Sequence, residues 1–311
     1  MSFDIHGTFA ALLTPRLPDD TVDTGALEAL VGFLKTRGVA GCVVNGATGE
    51  YCLTTPPQLR SMMGAVRKAS GGSMKMICGV GAAGIPQVLE LASVAVDHKA
   101  DAVLVPPPHF FPYAQEDLDA FYREVAARVK LPILLYNIPQ FTSPIDAETA
   151  SRLIRDVPNI AGIKDSSGSL QTLRILTHSG PPACRIVGND AVLVDGMREG
   201  VCDAVISGVA CVLPEVILSI VDQAGAPENG ANVSLQEFLD AIGAFPVPWG
   251  LRWAAEALGI LRAWSSQPVS QSRAAEAARF KAWFAPWHST MISKMGVSNS
   301  RQGTLSHVHQ A

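Results

Sequence analysis

The chain has 311 residues, of which 48% are hydrophobic and 17% are charged, and this composition excludes a disordered protein. Its 24 basic and 28 acidic side chains leave a net charge of −4, which argues against nucleic acid binding through a basic face. No run approaches the roughly 18 apolar residues of a membrane span, and the start "MSFDIHGTFAALLTP" lacks the basic residues of a signal peptide. We therefore expect a cytoplasmic protein with a large core, built as one barrel or two domains.

Short apolar segments recur along the chain, and each is followed by a turn and an amphipathic helical pattern. The segments are continuous in Val, Ile, Leu and Ala, which is typical of parallel strands that are buried on both faces. The predicted strands lie at 8–15, 41–46, 75–81, 101–108, 132–139, 160–165, 184–190 and 203–208. The predicted helices lie at 23–38, 55–70, 85–100, 115–129, 146–157, 169–180, 191–200 and 214–225. Eight such units predict an α/β fold, a (β/α)8 TIM barrel with appended C-terminal helices.

The chain is expected to divide into three parts. The barrel would occupy residues 1–224, a C-terminal helical extension 225–300, and a loose tail 301–311. The segment "GAPENGANVS", at 225–234, is interpreted as the linker into the extension, because Gly, Pro and Asn punctuate regular structure.

A doubly wound open sheet is the alternative fold, and a glycine motif supports it. Gly79, Gly81 and Gly84 form a G-x-G-x-x-G pattern after a predicted strand, as in a nicotinamide-binding site. That motif normally follows the first strand, whereas here it follows the third, and the next strand ends in three prolines. The pattern therefore favours the barrel without a nucleotide cofactor.

The cysteines and histidines predict no metal site. Six cysteines are scattered without a CxxC pair, and we expect free thiols in a reducing compartment. Seven histidines are dispersed as well. His307 and His309 lie in the polar tail, and we interpret them as surface residues rather than metal ligands.

Lys164 stands at the end of the sixth predicted strand, where barrel enzymes place reactive side chains. Burial of its amine would lower the pKa, and a neutral amine attacks ketones to form an imine. Tyr136 ends the neighbouring strand, where its phenol could transfer a proton. The alternative is a structural lysine that is paired with Asp165 or Asp190.

The loop "NGATGE", residues 45–50, follows the second predicted strand. Its two glycines let backbone amides converge on a small anion, and Thr48 adds a hydroxyl donor. A carboxylate bound there would orient a keto acid toward Lys164. The alternative is an ordinary glycine-rich loop.

These motifs resemble those of the N-acetylneuraminate lyase and dihydrodipicolinate synthase family of class I aldolases. The resemblance covers most of the chain and rests on "ALLTP", "NGATGE", "YNIP", "GIKDSSG" and "GND", in the family's order. It implies that Lys164 forms the Schiff base and that Tyr136 relays the proton. The substrate-binding residues that it implies are Ala47, Thr48, Gly188 and Ile206. It also implies a homotetramer or dimer without cofactor or metal.

Three positions depart from the pattern of the dihydrodipicolinate synthases. Ala47 replaces the first of two threonines, Phe110 replaces a tyrosine that crosses a subunit interface, and Phe141 replaces an arginine that binds the aldehyde's carboxylate. Phenyl rings cannot supply the chemistry of a hydroxyl or a guanidinium. Phe110 and Phe141 are therefore candidate residues for binding a different second substrate.

The sequence predicts a carbon–carbon lyase that acts on pyruvate or a related 2-oxo acid through an imine on Lys164. Candidate substrates include a 2-keto-3-deoxy sugar acid and a less polar acceptor. Dihydrodipicolinate synthase activity is the alternative within the family, and a non-catalytic keto-acid-binding barrel is the alternative of another class. A nucleotide-dependent enzyme would need the glycine motif at 79–84. The expected partner is a small-molecule 2-oxo acid, with no nucleic acid and no membrane.

Overall fold

The computed structural model describes residues 5–296, in which eight parallel strands form a closed barrel in the order of the chain. The strands are β1 (Gly7–Ala11), β2 (Gly41–Val44), β3 (Lys75–Gly79), β4 (Ala102–Val105), β5 (Ile133–Asn137), β6 (Ile160–Asp165), β7 (Cys184–Val187) and β8 (Ala204–Ser207). Pairing of β1 with β8 closes the barrel. The predicted (β/α)8 fold is thus confirmed, and the open sheet is wrong because no strand edge is left free.

A helix follows each strand. The helices are α1 (Thr24–Thr36), α2 (Pro56–Ser70), α3 (Ile85–Asp97), α4 (Gln115–Arg128), α5 (Ala147–Asp156), α6 (Gln171–His178), α7 (Leu193–Glu199) and α8 (Pro214–Asp222). Local sequence sets their ends. In α2, Thr55 and Gln58 form a capping box before the first turn, and Gly71 adopts a left-handed φ of 59° after the last. Single-turn 3-10 helices at Tyr51–Leu53, Asp190–Val192 and Val209–Cys211 follow β2, β7 and β8.

The barrel has two apolar layers, because successive side chains of a strand point to opposite faces. One layer packs between the strands and the surrounding helices. The other fills the barrel interior with residues such as Phe9, Val43, Leu134, Ile186 and Ile206. Tyr136 belongs to the interior layer, and this places its phenol on the barrel axis.

Three further helices follow the barrel, at α9 (Ala231–Ile242), α10 (Trp249–Ala257) and α11 (Gln271–Lys294). The segment 225–234 is interpreted from the sequence as a linker. This is wrong for its last four residues, because α9 begins at Ala231. Gly230 turns the chain with a φ of 78°, and Leu235 and Phe238 then anchor the helix in the core. The division between a barrel at 1–224 and an extension at 225–300 stays a prediction. The predicted tail at 301–311, with His307 and His309, lies outside the described residues.

The glycine motif after β3 serves close packing between strands. A Cβ on Gly79 would lie 2.0 Å from the Asn45 carbonyl oxygen, and one on Gly81 would lie 2.6 Å from both Pro106 and Tyr51. These distances are shorter than van der Waals contact, so only glycine fits. Packing within the barrel therefore explains the first two glycines of the motif, whereas a Cβ on Gly84 would meet only Pro86 at an ordinary 3.9 Å. Within residues 5–296, no helix is long and apolar enough to cross a membrane.

Candidate active site

Lys164 and Tyr136 face each other across the β5–β6 pair, where the register makes them direct neighbours. The Lys164 Nζ donates a hydrogen bond of 3.3 Å to the Tyr136 hydroxyl. The same Nζ lies 4.4 Å from the centre of the tyrosine ring. Both side chains are only 3% exposed. The strand register thus brings the two predicted catalytic residues together at the mouth of the barrel.

Burial changes the acid–base properties of this pair. It lowers the pKa of Lys164 from 10.5 to about 7, although the negative charge of Asp190 opposes the shift. A large fraction of the amine is therefore neutral, and nucleophilic, near pH 7. Burial raises the pKa of the Tyr136 phenol above its ordinary value, and a hydrogen bond with Ser166 opposes this. The phenol consequently keeps its proton and can donate it to a substrate oxygen.

Asp165, one of the two acids considered as partners of the lysine, forms its hydrogen bonds with other residues. Its carboxylate accepts hydrogen bonds from the Asn137 side chain at 3.2 Å and from the Ser167 backbone N–H at 2.8 Å. As the next residue along β6, it points to the opposite face of the strand from Lys164. The lysine is therefore not held by its sequence neighbour.

Asp190 is the second acid, and it does influence the lysine. It follows β7 and accepts hydrogen bonds from the Ser207 side chain and the Val209 N–H. These bonds and the positive charge of Lys164 favour the ionised carboxylate and so lower its pKa. Burial outweighs these effects and raises the pKa to about 6. The sequence identified Asp190 only as a structural partner, whereas this electrostatic contact places it in the site.

Gly188 provides the space that the lysine side chain needs. A Cβ at this position would lie 2.5 Å from the Lys164 Cε and 2.3 Å from the Ser166 Oγ. The Gly188 carbonyl also accepts a 2.9 Å hydrogen bond from that Ser166 hydroxyl. Any larger residue would displace Lys164 or Ser166. Gly188 therefore shapes the site through its lack of a side chain.

The loop at 45–50 is tightly turned at both ends. Asn45 and Glu50 adopt left-handed φ values of 62° and 56°, which non-glycine residues rarely do. The Asn45 side chain donates a 2.8 Å hydrogen bond to the Gly79 carbonyl. The Thr14 hydroxyl donates another of 2.8 Å to the Gly49 carbonyl. The loop is thus held to its neighbours on both sides.

Ala47 and Thr48 occupy the half-buried centre of this loop. Ala47 packs against the interior cluster that contains Tyr136 and Ile206. Thr48 lies over the end of β8, where a Cβ on Gly208 would be 3.1 Å from its Oγ1. Six of the predicted site residues therefore lie around one mouth of the barrel, namely Lys164, Tyr136, Gly188, Ala47, Thr48 and Ile206.

Phe110 and Phe141 lie at the rim instead. An isolated antiparallel bridge joins His109 to Thr142, so the two phenylalanines are placed side by side next to it. They are 85% and 53% exposed, and Phe110 has a left-handed φ of 88°. A bulky residue in this conformation is strained. In the single chain neither ring forms a buried wall, and their substrate-binding role stays a prediction.

No set of three or more His, Cys, Asp or Glu side chains in the described part of the chain is arranged to hold a metal ion. None of the six cysteines forms a disulfide within residues 5–296, and Cys42, Cys78, Cys184 and Cys211 are buried.

Comparison with known proteins gives matches along most of the chain. The model of the dihydrodipicolinate synthetase family matches residues 4–283. A 4-hydroxy-tetrahydrodipicolinate synthase of Cellvibrio japonicus is 32% identical over 275 residues, which cover 86% of this chain and 93% of that protein. The protein of the same name from Chlorobaculum parvum is 30% identical over 286 residues, which cover 89% of this chain and 96% of that protein.

Solved structures of two kinds of enzyme are similar to the barrel. A dihydrodipicolinate synthase of Bacteroides thetaiotaomicron matches with a TM-score of 0.80 and 26% identity, over 93% of this chain and all of that one. An N-acetylneuraminate lyase of Mycoplasma synoviae matches with a TM-score of 0.78 and 20% identity. The match covers 91% of this chain and 97% of that one. At that identity the second match shows the shared fold alone.

Proposed function

The chain belongs to the dihydrodipicolinate synthetase family, and on this basis we propose that it is a class I aldolase that captures a 2-oxo acid as an imine on Lys164. One observation carries the proposal: the buried Nζ lies 3.3 Å from the hydroxyl of Tyr136. An amine whose pKa is about 7 and a protonated phenol beside it are the two groups that imine formation requires.

The reaction begins when the neutral Lys164 amine attacks the ketone carbon of the 2-oxo acid. Tyr136 donates its proton to the resulting alkoxide and, as a phenolate, takes a proton back from the attached nitrogen, which leaves a neutral carbinolamine. It then donates that proton to the hydroxyl, so that water leaves and a cationic iminium forms beside the phenolate. The iminium withdraws electrons, so the carbon next to it loses a proton to the Tyr136 phenolate and an enamine forms. Addition of the enamine to an aldehyde forms a carbon–carbon bond, and the reverse sequence cleaves one.

The substrate carboxylate is assigned to the loop at 45–50. The hydroxyl of Thr48 and the backbone amides of Ala47 and Thr48 would donate hydrogen bonds to it. Support comes from the common position of Ala47, Tyr136 and Ile206 in the interior cluster. A carboxylate held there would place the ketone carbon toward the lysine.

The second substrate is less closely defined than the first. Phe141 brings no positive charge to the rim, which favours an acceptor without a second carboxylate, such as the hydroxylated chain of a 2-keto-3-deoxy sugar acid or a less polar aldehyde. The names of the relatives favour 4-hydroxy-tetrahydrodipicolinate synthesis, and this is the second candidate.

Borohydride reduction tests the proposal. The protein is incubated with pyruvate and sodium borohydride, digested, and analysed by mass spectrometry, with a sample lacking pyruvate as control. We expect a reduced adduct on the peptide that contains Lys164. A panel of 2-oxo acids and aldehydes, assayed for pyruvate release or consumption, then identifies the substrate. An adduct without turnover on any member would favour the non-catalytic keto-acid-binding barrel.

We also propose that the protein acts in the cytoplasm as a homo-oligomer, either a tetramer or a dimer. Six cysteines that form no disulfide within the described residues are typical of a reducing compartment. Phe110 and Phe111 stack edge to face at 4.8 Å and stay exposed, which favours their burial against another subunit. Light scattering in solution tests the assembly, and a monomeric mass would contradict it.

A further inference from the structure

An ion pair connects the loop at 45–50 to a helix outside the eight strand–helix units. The Arg252 guanidinium, on α10, donates a hydrogen bond to the carboxylate of Glu50, the last residue of the loop. Arg252 is only 3% exposed, so the pair is almost shielded from water. Its other terminal nitrogen donates to the Trp264 carbonyl at 2.5 Å. Arg252 therefore fastens the loop to the C-terminal part of the chain.

The same helix comes close to the centre of the loop beside Gly208. Thr48 and Leu251, the residue before Arg252, approach the end of β8 from two sides, at 3.1 Å and 3.0 Å from the position of a Cβ on Gly208. Helix α10 thus lies directly beside the threonine that is assigned to the substrate carboxylate. A shift of α10 would move both the Glu50 end of the loop and the packing of Thr48.

The loop depends on such an external hold because its backbone is strained. Glu50 keeps a left-handed φ of 56°, a conformation that non-glycine residues rarely adopt. Without the bond to Arg252, Glu50 would be free to relax toward an ordinary φ and to draw Thr48 with it. A second buried arginine, Arg16, adds its positive charge near Glu50, but within the described residues its guanidinium donates to the Asp20 carbonyl and not to Glu50.

We propose that Arg252 is a positioning residue that acts through Glu50 to hold Thr48 in the geometry that binds the substrate carboxylate. This inference rests on the proposed function, since it concerns the affinity of the imine-forming site for its 2-oxo acid. This positioning role requires an arginine on α10, because the two terminal nitrogens of a guanidinium can donate to a carboxylate and to a carbonyl at the same time.

The test measures borohydride trapping at Lys164 against pyruvate concentration. We expect Arg252→Met to raise the half-saturating pyruvate concentration about 10-fold, as for a weakened hydrogen bond to a charged group. The maximum trapped fraction should stay unchanged, because β5 and β6 carry Lys164 and Tyr136. Arg252→Lys should cause a smaller rise, since it keeps the charge without the fork.

A matched control separates positioning from stability. Arg37 and Glu215 form another part-buried pair, with side chains that are 12% and 14% exposed. Arg37→Met should lower the melting temperature and leave the half-saturating pyruvate concentration unchanged. If Arg252→Met traps pyruvate with wild-type half-saturation, the positioning role is overturned.

Arg252→Met leaves Glu50 buried without its partner, and this can prevent folding. The double variant Glu50→Gln/Arg252→Met removes both charges and keeps the test open. We expect it to show the same 10-fold rise, because the two residues act as one unit. A wild-type value in the double variant would refute the inference. Failure of the wild-type chain to form any adduct would overturn the proposed function, and this inference with it.

Discussion

The two halves of the barrel mouth are built in different ways. The half around Lys164 and Tyr136 lies on paired strands, and both side chains are almost fully buried. The half around Phe110 and Phe141 lies on loops after β4 and β5, with both rings exposed and one backbone strained. Strand register fixes the chemistry of the first half, whereas the second half can change without disturbing it.

This difference separates the capture of a 2-oxo acid from the choice of its partner. Phe141 belongs to the loop that follows β5, five positions after Tyr136 and outside the strand. A substitution there alters the rim and leaves the register of Tyr136 and Lys164 intact. Variants in the two halves should therefore have different effects.

The largest effect is expected from Lys164→Ala, which removes the nucleophile. No borohydride-reduced adduct with pyruvate should form, and turnover should be lost, because no other described amine is buried beside Tyr136 in this mouth. Mass spectrometry of the whole chain measures the adduct. Persistence of the adduct in this variant would mean that another residue carries the imine.

Replacement of Tyr136 by Phe should slow turnover by about 10²–10⁴-fold, the contribution of a general acid–base group. The ring keeps its place in the interior cluster, so the fold should be retained. Steady-state kinetics with the substrate found in the panel measures the rate, and circular dichroism checks the fold. Near-normal turnover would assign proton transfer to another group.

The pH dependence of imine formation should report the pKa of Lys164. Below about pH 7 the amine is protonated and cannot attack, so the rate should fall about tenfold per pH unit and level off above pH 8. Asp190→Asn removes the negative charge that raises this pKa, and the midpoint should move to lower pH. A midpoint that is unchanged or higher would show that Asp190 does not act on the lysine.

The smallest effect is expected at the rim. Phe141→Arg supplies a guanidinium and should favour an aldehyde that carries a carboxylate, such as aspartate semialdehyde, over a neutral aldehyde by about 10-fold. The half-saturating pyruvate concentration should not change, with Phe141→Leu as the control without charge. Equal changes for both aldehydes would show that Phe141 does not select the second substrate.

Much of the fold follows from local sequence pattern. Continuous apolar segments and capped amphipathic helices predicted all eight units of the barrel, because a parallel sheet that is covered on both faces requires this pattern. The same reasoning placed Lys164 and Tyr136 on adjacent strands. Helix α9 lies within the helical extension predicted at 225–300, but the sequence assigns its start to the linker, since its first turn lies in a segment rich in Gly, Pro and Asn. Its anchor Phe238 is buried only through tertiary packing.

The sequence by itself determined the barrel, and it identified the candidate nucleophile and the loop proposed to bind the substrate carboxylate, because these depend on periodicity and on motifs of a few adjacent residues. Only the tertiary structure decided that Lys164 bonds Tyr136 rather than Asp165, and that Arg252 holds Glu50 from 202 positions away. Such contacts depend on the direction and burial of side chains in three dimensions, and no local pattern records them.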